Sequence, residues 1–285
     1  MDQNLSHPFE RSGLAALSDL ETPAWREVLA ELERQQEAFL ERESSFRSPD
    51  YRWPRDSLHT WSRVWEYPYA HAQLRAHLVG KEGGERSRVV DLGSGVTFFP
   101  FAVARLGYRV SCLDVDPICA RDLERAAACV ESGPGEVEFR LIEGERLPFD
   151  DEAVDAVYCI SVLEHIPDFE GTVREIARIL RPGGKLVVTF DLDVRGDSEI
   201  GLEAHRRLLG VLLAHFELHW PEVSVHPADL LQTTNGPYPL PTTPPLQHLR
   251  GFVKQRIVKP LLRMKPRRYL PPHLAVQGLT LRRRS

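Results

Sequence analysis

The chain has 285 residues, of which 42% are hydrophobic and 27% charged, with a formal net charge of -5. That length suits one large α/β domain or a core domain with an appendage; no apolar window reaches the ~18 residues a membrane span needs, which excludes that class. The polar, acidic start MDQNLSHPFERSG is no secretory signal, so a cytoplasmic location is expected, and the cysteines (112, 119, 129 and 159), with no C-x-x-C pair, read as reduced core thiols rather than a zinc site.

The first element is a helix from about residue 22, where Thr22 suits the N-cap and Pro23 the first turn. Trp25, Val28, Leu29 and Leu32 share one face. SPDYRWPRD, residues 48–56, is a turn-rich connector. Residues 57–78 carry apolar side chains at helical spacing, with Pro68 expected to break that helix or to start a new one. Residues 1–85 thus read as a helical N-terminal cap, and residues 86–285 as a ligand-binding domain with a basic C-terminal insertion.

From residue 88 the rhythm changes to short apolar strands alternating with helices. Strands are expected at 88–92, 109–115, 137–144, 154–161 and 185–193, with helices at 98–107, 117–130 and 169–180. This alternation predicts a parallel sheet covered on both faces and joined by right-handed crossovers. RPGGK, residues 181–185, reads as a turn. His205, His215 and His219 fall on a further helix, and His205 is the one to test as a base. A proline-rich loop occupies 235–245, a basic amphipathic stretch 251–264, and a last strand 273–283. From Arg250 onward there are eleven Lys or Arg and no Asp or Glu. Such a tail suits phosphate, an acidic partner or a membrane surface, and equally a solvated face.

The stretch VVDLGSG, residues 89–95, ends a strand in an acid and a glycine turn. Turns at the carboxyl ends of strands are where open α/β sheets bind ligands. Glycines let the backbone approach a ligand, and the next helix offers free N–H groups. Asp114 ends the following strand, 23 residues after Asp91, where an acid accepts hydrogen bonds from ribose hydroxyls. Phe98 stands where a dinucleotide fingerprint needs glycine. Asp91 would repel a pyrophosphate but can hold an ammonium. The expected ligand is an adenosine joined to a cationic group.

S-adenosylmethionine (SAM) is such a ligand. VVDLGSG, CLDVDP, IEGERLPF, VDAVYCISVLEHIPD and RILRPGGKLVV follow one another between Val89 and about Phe190. In that order and spacing they resemble the class I SAM-dependent methyltransferases of the broad small-molecule type. The resemblance implies a Rossmann-like, doubly wound, mostly parallel seven-stranded sheet. It implies that Asp91, Gly93, Ser94 and Gly95 surround the methionine portion, that Asp114 holds the ribose and that Val115 lies against the adenine. Glu143 would accept from the adenine amino group, Gly144 would offer an N–H to the ring, and Ile160 a carbonyl to the ammonium. Thr97 in place of a third glycine suggests a tighter turn, and Glu143 in place of aspartate a longer reach.

On the acceptor side, Arg63 is a candidate for gripping a carboxylate and Tyr67 for closing over the cofactor; the competing reading pairs Arg63 with Glu66 on the helix surface. His165 is a weak candidate base, since its ordinary pKa lies near neutrality, and a structural role competes with it. Asp191 and Asp193 flank the end of the fifth strand, where two acids can face a cation; no metal site is assigned. A small-molecule O or N acceptor is expected, such as a sugar or secondary metabolite. A macromolecular acceptor such as RNA, reached through the basic tail, is the first alternative, and a non-catalytic SAM-binding partner protein the second.

Overall fold

A computed structural model describes residues 7–78, 86–194, 201–241 and 273–284. Its strands are β1 (Gly13–Leu14), β2 (Arg88–Leu92), β3 (Arg109–Asp114), β4 (Glu136–Leu141), β5 (Val154–Ile160), β6 (Leu180–Asp193), β7 (Phe216–Leu218) and β8 (Leu274–Arg283). The helices are α1 (Pro23–Glu41), α2 (Glu43–Phe46), α3 (Arg63–Leu78), α4 (Phe99–Arg105), α5 (Pro117–Cys129), α6 (Phe169–Ile179) and α7 (Leu202–His215).

All eight strands join one sheet in the order β1-β8-β6-β5-β2-β3-β4, with β7 also on β8. The run from β4 to β6 is parallel, while β8 lies antiparallel to β6 and carries β1 and β7 antiparallel to itself. The fold is therefore the expected mostly parallel α/β sheet, with one two-residue strand supplied by the N-terminal segment that had read as helical. Strand order reverses between β2 and β5, and the carboxyl ends of those strands open a crevice, the usual ligand position in such sheets.

Alternation along the strands builds two cores. Val89, Val110, Ala156, Tyr158 and Val187 face one side, packing with Trp25 of α1, Trp65 and Tyr69 of α3, and residues of α4 and α5. Val90, Leu113, Val157, Cys159 and Val188 face the other, under α6 and α7. This is the period-2 pattern of strands buried on both faces.

Two local expectations need correction. Pro68 neither breaks nor starts a helix: α3 runs through it. A proline there removes the N–H that would bond the Val64 carbonyl, and the Trp25 indole N–H donates to that carbonyl instead, at 3.3 Å. RPGGK is not a turn between elements but a bulge inside β6, where Leu180 pairs with Val154 and Lys185 with Ala156. Gly183, at φ 73°, absorbs the extra length. The expected Thr22 cap is present, accepting from the Trp25 N–H, and Asp116 caps α5 by accepting from the Ile118 N–H. All four cysteines are free thiols. Among the described residues no helix is long and apolar enough to cross a membrane. The basic stretch 251–264 lies outside the described residues.

Candidate functional site

The crevice at the strand-order reversal is a cavity of about 900 Å³, at the upper end of the range for small-molecule sites. Its first wall is the glycine turn. Gly93 and Gly95 have φ of 78° and 54°, a conformation only glycine adopts freely. A β-carbon on Gly93 would stand 2.6 Å from both Val162 methyls. The N–H groups of Gly93 and Ser94 donate to the Leu113 carbonyl, and that of Gly95 to Asp114 Oδ2 at 2.9 Å. Asp114 Oδ1 accepts from the Asp116 N–H at 3.0 Å. Asp114 thus ties the turn to the end of β3 while still lining the cavity, and Val115 beside it is 71% exposed at the mouth.

Asp91 lies beneath the turn, only 5% exposed. Burial, reinforced by the charge of Asp114, pushes its carboxyl pKa up to about 8, against the opposing pull of Tyr158 and Arg63. Tyr158 is its register partner on β5. The Tyr158 hydroxyl is buried beside the Asp91 carboxyl and helps to hold its charge. A buried acid and hydroxyl side by side suit a ligand's ammonium, whose positive charge would favour the ionised carboxylate.

The roof comes from the connector before α3. Tyr51 donates to the Val96 carbonyl at 3.3 Å and accepts from the Val96 N–H at 3.2 Å, and Arg47 Nη1 donates to the same carbonyl at 3.0 Å. The Arg47 guanidinium lies 4.1 Å from the Tyr51 ring centre. These bonds fasten the roof to the glycine turn. Trp53, Pro54, Ser57, Thr60 and Trp61 then line the cavity from above.

The floor holds Arg63, Ser161, Ile160 and Asp191. Arg63 does pair with Glu66, but inside the molecule rather than on a surface, for Glu66 is fully buried. Tyr67 lines the cavity and stacks on Phe99 at 4.5 Å between ring centres. His165 reaches the cavity rim and is exposed.

The cavity therefore brings together Arg63, Tyr67, Asp91, Gly93, Ser94, Gly95, Asp114, Val115, Ile160 and His165. Two expected residues are not among its lining. Glu143 and Gly144 are both exposed, and Ile142 lines the cavity just before them. His205 is excluded as a base in the site. It is buried on α7, with its ring bonded to Gln277 Oε1 at 2.5 Å and edge-on to Phe190. His219 falls beyond α7, and its pKa is lowered to about 4 by burial and by the charges of Lys185 and Arg282. Asp191 lines the cavity while Asp193 is buried away from it. Among the described residues no three His, Cys, Asp or Glu side chains are grouped to hold a metal ion. Tyr51, Trp53 and Tyr158 were not singled out from sequence. The first two sit in a proline-rich connector without periodicity, and Tyr158 reads as one more apolar strand residue.

Residues 90–188 match a family model described as a methyltransferase domain. The chain is 36% identical over 106 residues to a ubiquinone biosynthesis O-methyltransferase of Xanthomonas oryzae pv. oryzae, covering 36% of this chain and 42% of that protein. It is 31% identical over 111 residues to a demethylmenaquinone methyltransferase of Tropheryma whipplei, covering 39% and 44%. The chain thus spans less than half the length of these curated relatives. Among solved structures it is similar to the YcgJ protein of Bacillus subtilis, with TM-score 0.48 and 16% identity over 75% of this chain and 99% of that one.

Proposed function

We propose that this chain, whose residues 90–188 match a family model described as a methyltransferase domain, transfers a methyl group from SAM to a small-molecule oxygen or nitrogen acceptor. The observation that carries the proposal is the meeting, in one cavity, of the glycine turn, Asp114 at the end of β3 and the buried Asp91. When bound, SAM supplies a methyl carbon made electrophilic by its sulfonium. The residues present fit it. Asp114 keeps lone pairs for two ribose hydroxyls, Val115 and Ile142 offer apolar surface to the adenine, and Asp91 with the Tyr158 hydroxyl faces the ammonium. Arg63 would pair with the carboxylate in the planar, two-pronged manner of guanidinium groups.

The protein's task is alignment. In-line displacement requires the acceptor opposite the leaving sulfur and water kept out. The roof supports both, since Tyr51 and Arg47 fix it to the glycine turn and Trp53, Trp61, Ile166 and Leu240 give the remaining space apolar walls. A cavity of about 900 Å³ has room for a cofactor and a second molecule with an apolar ring. The named relatives, a ubiquinone-biosynthesis and a demethylmenaquinone enzyme, are consistent with such an acceptor. His165 at the rim would take the proton of a hydroxyl acceptor; an amine arriving neutral needs no base. We read residues 7–62 as the part that closes the acceptor pocket.

The test is transfer of a labelled methyl from SAM to two acceptor panels, ring-bearing phenols and neutral amines, at low and moderate salt. Labelling within either panel that is indifferent to salt supports a small-molecule acceptor. No labelling in either panel, with salt-sensitive labelling of RNA, contradicts it.

A further inference from the structure

A buried polar cluster underlies Arg63 in the cavity floor. Glu66 is wholly buried on α3, yet its carboxylate receives three donors. Ser161 Oγ at 2.6 Å and Thr189 Oγ1 at 2.5 Å donate to Oε1, and Arg63 Nη1 donates to Oε2. The same arginine nitrogen donates to Ser161 Oγ at 2.9 Å, closing a ring from arginine through serine to glutamate. The carboxylate accepts, so two hydroxyls and a guanidinium turn their donors to one buried side chain. Stability alone is a poor reason for a charge at this depth, because buried ion pairs can often be replaced by apolar groups without loss.

The backbone gives an independent reason. Ser161 has φ 48°, one of two non-glycine residues with positive φ among the described residues. It stands at the tip of β5 between Ile160 and Val162, and all three line the cavity. A strained conformation of this kind persists only where its surroundings over-determine it, and such sites cluster at function. The determining contacts here are the Ser161 N–H to the Thr189 carbonyl at 2.9 Å and the two bonds of its hydroxyl. Helix α3 and strands β5 and β6 all meet at Glu66. The side-chain hydrogen bonds of Arg63 among the described residues come from Nη1, and the residue lines the cavity, so Nε and Nη2 remain as donors for a ligand.

We propose that Glu66 is a positioning residue for the amino-acid end of the cofactor, a role that rests on the SAM reading above. It holds the Arg63 guanidinium at the angle that receives a carboxylate, and it holds the strained Ser161 turn so that the backbone at the tip of β5 meets the ammonium. The adenosine end, gripped from β3, is outside its influence.

Calorimetric titration of the full chain with two probes separates these ends. S-adenosylhomocysteine carries both, whereas 5′-methylthioadenosine keeps the adenosine and thioether but lacks the amino-acid group. Glu66→Gln keeps the shape but turns a donor towards Arg63. It should weaken S-adenosylhomocysteine about tenfold and leave methylthioadenosine unchanged. Thr189→Val, whose side chain does not line the cavity, should show the same selectivity at about threefold and serves if the glutamine variant does not fold. Equal losses for both probes, or no loss for S-adenosylhomocysteine in a folded variant, overturn the role of Glu66 while the cofactor reading stands. Failure of the wild type to bind S-adenosylhomocysteine overturns that reading, and this role with it.

Discussion

Asp91 is the residue in which stability and binding oppose each other. An unfolded aspartate ionises near ~3.9, but burial raises the folded value to about 8. Folding therefore takes up a proton between these values. The stabilisation is fully present below the lower one and is lost as pH rises through the upper one. Asp91→Asn is neutral at every pH and escapes this loss, so the ligand-free variant should melt above the wild type at pH 8, with the gap closing as pH falls towards 4. Binding should run the other way. Wild-type affinity for S-adenosylhomocysteine should rise between pH 6 and 8 as the carboxylate forms to meet the ammonium, while the variant binds weakly without that slope. Matching melting curves for the two proteins across this range would contradict the buried-acid account. An acid ahead of two glycines can be read from sequence; its depth cannot, because that depends on β5 setting Tyr158 against it.

At the scale of elements, α3 shows how a tertiary contact overrides a local rule. Pro68 would end an isolated helix, but the Trp25 indole supplies the missing donor from another helix. Trp25→Phe keeps most of the ring and deletes the N–H, leaving the Val64 carbonyl buried and unpaired. It should lower unfolding free energy by about 1–3 kcal/mol in denaturant titration, and a change under ~0.5 kcal/mol would show that the contact does not matter. The same contrast explains which elements could be read in advance. Strands β2, β3 and β5 are apolar runs between turn signals, and α5 and α6 have a clear buried face. Strand β1 has two residues and hence no period. Its neighbourhood is held by side-chain bonds to the buried Asp19, from nearby Arg11 and from the distant Trp65 indole. The bulge in β6 reads as a turn because Pro-Gly-Gly is turn chemistry, and only pairing with β5 keeps it in the sheet.

For the molecule as a whole, the site is a composite of segments far apart in sequence: the roof after α2, the glycine turn after β2, the tip of β3, and the floor where β5 and β6 meet α3. The half of the site on strand ends was visible in sequence because acids and glycines at strand ends form a local pattern. The roof was not, since Tyr51 and Trp53 act through where their loop is fastened rather than through any spacing. Glu143 is the converse case: its motif is local, but its side chain is exposed and not among the residues lining the cavity. Calorimetric titration of the wild type and Asp114→Ala with S-adenosylhomocysteine, in parallel with NADH, decides whether this composite site holds SAM. The wild type should bind S-adenosylhomocysteine, Asp114→Ala should bind it about tenfold or more weakly, and neither should bind NADH. A folded wild-type protein that ignores S-adenosylhomocysteine, or binds NADH in its place, would contradict the SAM reading.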